Sequence, residues 1–95
     1  MEIITLAGKV SSIPEYRKDR NGNDYICFVV RCSSELIGDV KYTHYRCFCY
    51  DPSMKGLLKG DVVFLQGDLN LNIKTNDGSP VLSCDVYVKC ITKAL

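Results

Sequence analysis

Val62-Val63-Phe64-Leu65-Gln66-Gly67-Asp68-Leu69-Asn70-Leu71-Asn72-Ile73 alternates without a break, with Val63, Leu65, Gly67, Leu69, Leu71 and Ile73 on one side and Phe64, Gln66, Asp68, Asn70 and Asn72 on the other. A period of two belongs to a half-buried β-strand; a helix would repeat every ~3.6 residues. Downstream, Asn76-Asp77-Gly78 is a tight-hairpin signal leading into a last strand from about Val81 to Ile91, where Cys84, Val86, Val88 and Cys90 share a face. Upstream, Asp51 to Gly60 carries a Pro near its start and a Gly at its end, so it holds at most a short helical turn. Before it, the same alternation marks strands at Tyr42 to Tyr50, Tyr25 to Cys32 and Ile3 to Val10, with Asn21-Gly22 as a turn and Ser33 to Lys41 as a short loop.

Five short strands, a short helical or irregular connection between strands 3 and 4, and Gly8 and Gly67 inside strands where bends are needed predict an all-β, five-stranded Greek-key OB-fold barrel. An SH3-like barrel is the competing architecture, but it usually lacks so long a connection before the fourth strand. The 95 residues leave room for a single domain, 1–95.

Hydrophobic residues at 46% and charged residues at 24% fit a folded soluble domain and argue against disorder, collagen or coiled coil. No apolar run reaches the ~20 residues of a membrane span, and Met1-Glu2-Ile3-Ile4 does not read as a signal peptide, so a cytoplasmic, nucleoid-associated location is expected. Twelve Lys and Arg against eleven Asp and Glu give a net charge of +1, so any nucleic-acid affinity must come from local arrangement. The six cysteines, Cys27, Cys32, Cys47, Cys49, Cys84 and Cys90, include no Cys-x-x-Cys pair and are expected to be reduced core residues. No metal, cofactor or catalytic constellation is expected; His44 has no nucleophile at readable spacing.

The third strand separates Thr43, Tyr45, Cys47 and Cys49 from Tyr42, His44, Arg46, Phe48 and Tyr50. The second set mixes aromatic rings with a guanidinium and an imidazole, the combination that stacks bases and neutralises phosphates along a single strand. Aromatic residues are enriched in strands whatever the function, but an unpaired Arg46 would be costly to bury. Arg31 on the outer side of strand two, Lys41 at the entrance to strand three and Lys74 in the last hairpin extend the basic track, and Arg17, Lys18 and Arg20 make a second cluster. The expected nucleic-acid-binding set is therefore Arg17, Arg31, Lys41, His44, Arg46, Phe48, Tyr50 and Lys74.

Five segments in order carry a resemblance: Ile4-Thr5-Leu6-Ala7-Gly8-Lys9-Val10, Pro14-Glu15-Tyr16-Arg17, Tyr45-Arg46-Cys47-Phe48-Cys49-Tyr50, Lys59-Gly60-Asp61-Val62-Val63-Phe64-Leu65-Gln66-Gly67-Asp68-Leu69 and Asp85-Val86-Tyr87-Val88. The chain resembles bacterial single-stranded DNA-binding proteins over nearly its whole length. That resemblance implies sequence-tolerant binding of single-stranded DNA, with RNA as the other candidate polynucleotide, by a homodimer or homotetramer in replication, repair or mobile-element processing. The sequence departs from the family in having no Trp, with His44 at one stacking position and Ile73 and Lys74 near another. Asn70 and Asn72 stand where Arg is common, and no Gly-rich linker or acidic tip follows Ile91. The resemblance thus implies a tail-less relative, such as a primosomal component or a phage or mobile-element version, without tail-mediated recruitment of replication proteins. The alternative is an OB-fold protein-interaction module with little nucleic-acid affinity.

Overall fold

The computed structural model describes residues 2–36 and 39–94. Six strands form one sheet: β1 Glu2–Val10, β2 Glu15–Lys18, β3 Asp24–Leu36, β4 Asp39–Cys49, β5 Val62–Asn76 and β6 Ser79–Lys93. Their order is β1-β5-β6-β4-β3-β2, and β1 also meets β3 at Lys9↔Arg31 and Val10↔Val30. The β4–β6 pair is parallel and the others antiparallel, so the sheet is mixed.

This corrects the expected five-stranded Greek-key barrel. The extra strand, Glu15-Tyr16-Arg17-Lys18, is exposed at all four positions and so carries no hydrophobic alternation. Only its ladder with β3, from Glu15↔Cys27 to Lys18↔Asp24, makes it a strand. A short, charged edge of this kind also discourages unwanted strand addition. The helical connection consequently lies between β4 and β5 rather than between strands 3 and 4, and it is a single 3₁₀ turn, Pro52–Met54, capped by Asp51. Most of the loop expected from Ser33 to Lys41 is instead paired, from Ser33↔Tyr42 through Leu36↔Asp39. Residues 37–38 lie outside the described residues.

The alternation read from sequence decides the core. Ile26, Phe28 and Val30 of β3, Cys47 and Cys49 of β4, Val63 and Leu65 of β5 and Val86 of β6 are buried together with Leu6 and Val10 of β1 and Leu57 of the connection. The expected shared face of Cys84, Val86, Val88 and Cys90 breaks at one point. The register passes from Gly67↔Val88 to Gln66↔Cys90, leaving Lys89 as the extra residue of a β-bulge. Cys90 is therefore turned outward and exposed, while Ile91, opposite Leu65, packs against the core.

Gly67 lies at this bulge, where an added Cβ would collide with the Tyr87 backbone. Gly8 serves the β1–β3 crossing in the same way, since a Cβ there would stand 2.6 Å from the Arg31 carbonyl. Beyond Leu69 the β5–β6 hairpin leaves the core, and Leu71 and Ile73 are exposed despite their place in the alternation. Asp77 and Gly78, both at positive φ, close it as the turn chemistry predicts.

Candidate nucleic-acid interface

Register places the outer residues of β3, β4 and β6 side by side. Cys27, Phe48 and Tyr87 form one row across the strands, and Val29, Arg46 and Asp85 form the next. The rings touch. Phe48 stacks on Tyr87 with centroids 5.3 Å apart and planes 20° from parallel, Tyr25 lies 6.1 Å from Phe48, and Tyr50 lies 5.3 Å from Tyr25. The result is a continuous aromatic track, Tyr50, Tyr25, Phe48, Tyr87. The Tyr50 hydroxyl donates to Asp19 Oδ2 at 3.1 Å, which ties one end of the track to the β2–β3 turn. Asp19 also accepts the backbone N–H groups of Asn23 and Asn21, and these bonds, led by Asn23, hold its carboxyl below the usual carboxylate range.

Arg46 stands beside the track with its guanidinium 5.2 Å from the Phe48 centroid. Its charge is already met: Nε and Nη2 donate to Asp85 Oδ1 and Oδ2 at 3.2 and 2.9 Å. Asp85 is 3% exposed and also accepts from the Ser83 hydroxyl at 2.9 Å and Asn72 Nδ2 at 3.1 Å. Burial pushes this carboxyl up, but the bonds from Arg46, Ser83 and Asn72 outweigh it and leave the group below its ordinary range. The forked pair fixes the guanidinium plane and makes Arg46 an electrostatically neutral neighbour of Phe48.

The other expected residues are distributed unevenly. Arg17, opposite Tyr25, is paired with Glu15 on its own strand. Between Arg17 and Arg46 lies a cavity of about 200 Å³ whose lining includes Ile13, Cys27 and Phe48. Burial raises the Cys27 thiol, with Arg17 and Arg46 pulling the other way. Arg31 pairs in register with the exposed His44 and lies over the Tyr42 ring, 4.7 Å from its centroid. Lys41 falls on the Thr43 and Tyr45 alternation and is not part of this row. Lys74 is exposed on the hairpin, four register pairs beyond Asn70↔Asp85, roughly 13 Å along the strand.

Tyr25, Tyr87 and Asp85 complete the arrangement and were not among the expected site residues. Alternation with Cys27 and Arg31 marks Tyr25 as outward-facing, but only the parallel β4–β6 pairing brings Tyr87 and Asp85 to Phe48 and Arg46. Among the described residues, no group of three His, Cys, Asp or Glu side chains could hold a metal ion. No helix among them is long and apolar enough to cross a membrane.

No family model and no curated protein matches the sequence. Solved structures do match. The chain is similar to the small single-stranded DNA-binding protein from Streptomyces coelicolor, with a TM-score of 0.78 and 21% identity over 99% of this chain and 94% of that one. It is also similar to the Plasmodium falciparum SSB in its complex with ssDNA, with a TM-score of 0.75 and 18% identity over 99% of this chain and 95% of that one. The fold is theirs. On that shared fold, the aromatic track runs over the outer side of β3, β4 and β6.

Proposed function

We propose that the chain binds single-stranded nucleic acid without sequence preference, DNA first and RNA as the alternative, and performs no catalysis. The observation that carries this reading is the unbroken contact row of Tyr50, Tyr25, Phe48 and Tyr87 on the outer side of the sheet, with Arg46 held over Phe48. Every base has a π-face, so such a platform stacks any sequence, at about 1–3 kcal/mol per base. His44, Arg31 and Lys74 extend the surface as further contacts, whereas Arg17 is held by Glu15 and Lys41 lies off its face. The likeness to two single-stranded DNA-binding structures supports the reading, as does the order of family-like segments along the chain. A role in replication, repair or mobile-element DNA processing, as a homodimer or homotetramer, follows from the same reading.

An anisotropy titration with a labelled oligothymidylate tests it. Phe48→Ala and Tyr87→Ala should each weaken binding by about 1–3 kcal/mol while leaving the salt dependence almost unchanged, because stacking is lost and counterion release is not. A folded wild-type protein with no detectable binding at low salt would sink the reading. The neutralised Arg17–Glu15 and Arg46–Asp85 pairs favour a second reading, a protein-interaction module, and that result would put it first.

A further inference from the structure

We infer that a notch formed by Lys9, Arg31, Ser33 and Tyr42 is the phosphodiester-holding element of the surface, and that it supplies the counterion release which the expected cations Arg17 and Arg46 do not. The inference rests on the nucleic-acid-binding reading and names where the backbone of the strand is held.

The notch is a product of one close crossing. At Gly8 the missing side chain lets β1 run against β3, where any Cβ would meet the Arg31 carbonyl at 2.6 Å and Val30 Cγ1 at 2.7 Å. The next register pair is Lys9↔Arg31, so two cations from distant parts of the chain face outward together. They line a cavity of about 330 Å³ with Ser33 and Tyr42, at the small end of the ~300–1,000 Å³ typical of ligand sites. Arg31 lies 4.7 Å from the Tyr42 centroid, which occupies the flat face of the guanidinium and leaves its N–H edge to donate to an oxyanion. The Ser33 hydroxyl adds a neutral donor.

Charge pairing separates this notch from the aromatic track. Arg17, Lys18, Arg46, Lys89 and Lys93 each have a carboxylate within 4 Å, whereas Lys9 and Arg31 have none among the described side chains, which leave out those of residues 34–40. A cation already paired with a carboxylate must give up that partner before it can neutralise a phosphate, whereas an unpaired one displaces the counterion condensed on the phosphate outright. The notch also lies on the outer face that carries the track, since Arg31 pairs with His44, four residues before Phe48 and about 14 Å from it along β4. A strand whose bases stack on Phe48 and Tyr87 can therefore seat a phosphate between Lys9 and Arg31.

The test compares the slope of log affinity against log salt for the wild-type chain and for Lys9→Gln, Arg31→Gln and Arg17→Gln, with labelled oligothymidylate as the probe. Lys9→Gln and Arg31→Gln should each flatten the slope by about 0.7, so that a tenfold change of salt costs roughly fivefold less affinity than in wild type. Arg17→Gln should leave the slope at the wild-type value. Lys9 is exposed, so Lys9→Gln should fold and decides the matter if Arg31→Gln does not. Wild-type binding with unchanged slopes in Lys9→Gln and Arg31→Gln overturns this inference and spares the wider reading. Absence of any wild-type binding removes both. Inorganic phosphate at matched ionic strength should not displace the oligonucleotide; displacement would mark a free-anion site and also overturn the assignment.

Discussion

Asp85 is the residue on which the surface turns, because one buried carboxylate orients a guanidinium, a hydroxyl and an amide at once. Asp85→Asn should loosen this cluster, destabilise the fold by about 1–3 kcal/mol and release Arg46 as a free cation. Its salt slope should then be steeper than wild type by up to ~0.7, whereas Arg46→Ala should change the slope far less and mainly reduce stability. The pH dependence has a definite sign. The folded Asp85 carboxyl lies below its unfolded value of ~3.9, so its contribution is present above that pH and is lost as pH falls through the folded value. Urea midpoints of wild type and Asp85→Asn should converge as pH drops below about 4; a constant gap between them would refute this account.

The thiols give a second comparison at residue scale. Cys47 and Cys49 are buried, and burial pushes the Cys47 thiol well up and the Cys49 thiol up, whereas Cys90 is exposed by the bulge. In native protein a maleimide should modify Cys90 first and Cys47 and Cys49 only on unfolding. Mass mapping after a short pulse distinguishes this from uniform reactivity.

At the scale of elements, two glycines set the geometry for reasons that lie in other strands. Gly8→Ala places a methyl against the Arg31 backbone and Val30, neither of which can swing away as a flexible side chain would. A loss of about 1–3 kcal/mol is expected, with the Lys9↔Arg31 contact weakened along with it. Chemical denaturation gives the first quantity. The bulge at Gly67 has the opposite character, since it decides which residues of β6 face inward and so sends Ile91 to the core and Cys90 to solvent.

For the whole molecule, the exposed apolar surface is the feature left uncovered. Ile3 and Phe64 are 65% and 52% exposed on the outer side of β1 and β5, and Leu71, Ile73 and Leu82 project on the hairpin. Thr5 borders the first of these patches, in a cavity with Phe64 and Gln66, whereas Tyr87 belongs to the aromatic track. Self-association through a two-fold axis is the commonest way to cover such surface. Light scattering should return a multiple of 10.7 kDa at micromolar concentration, and Phe64→Ser or Ile73→Ser should shift it toward the monomer. A monomer mass at high concentration would remove the oligomer from the proposal.

The side of the strand that each residue takes is legible in the chain alone: Ile26, Phe28 and Val30 inward, Arg46 and Phe48 outward, with the Asp77-Gly78 turn between the last two strands. These are local matters, settled by a period of two and by which residues tolerate positive φ. Which residues become neighbours depends on how the strands assemble. Glu15–Lys18 became a strand because β3 offered it a ladder, Leu71 and Ile73 stayed exposed because no layer extends beneath the hairpin, and Cys90 turned outward because one extra residue entered β6. The pairings of Arg46 with Asp85, Phe48 with Tyr87, and Lys9 with Arg31 join residues far apart in the chain. Alternation assigns a side chain to a face but not to a partner, because the partner depends on strand order and register, which hydrogen bonding and core packing set across the whole sheet.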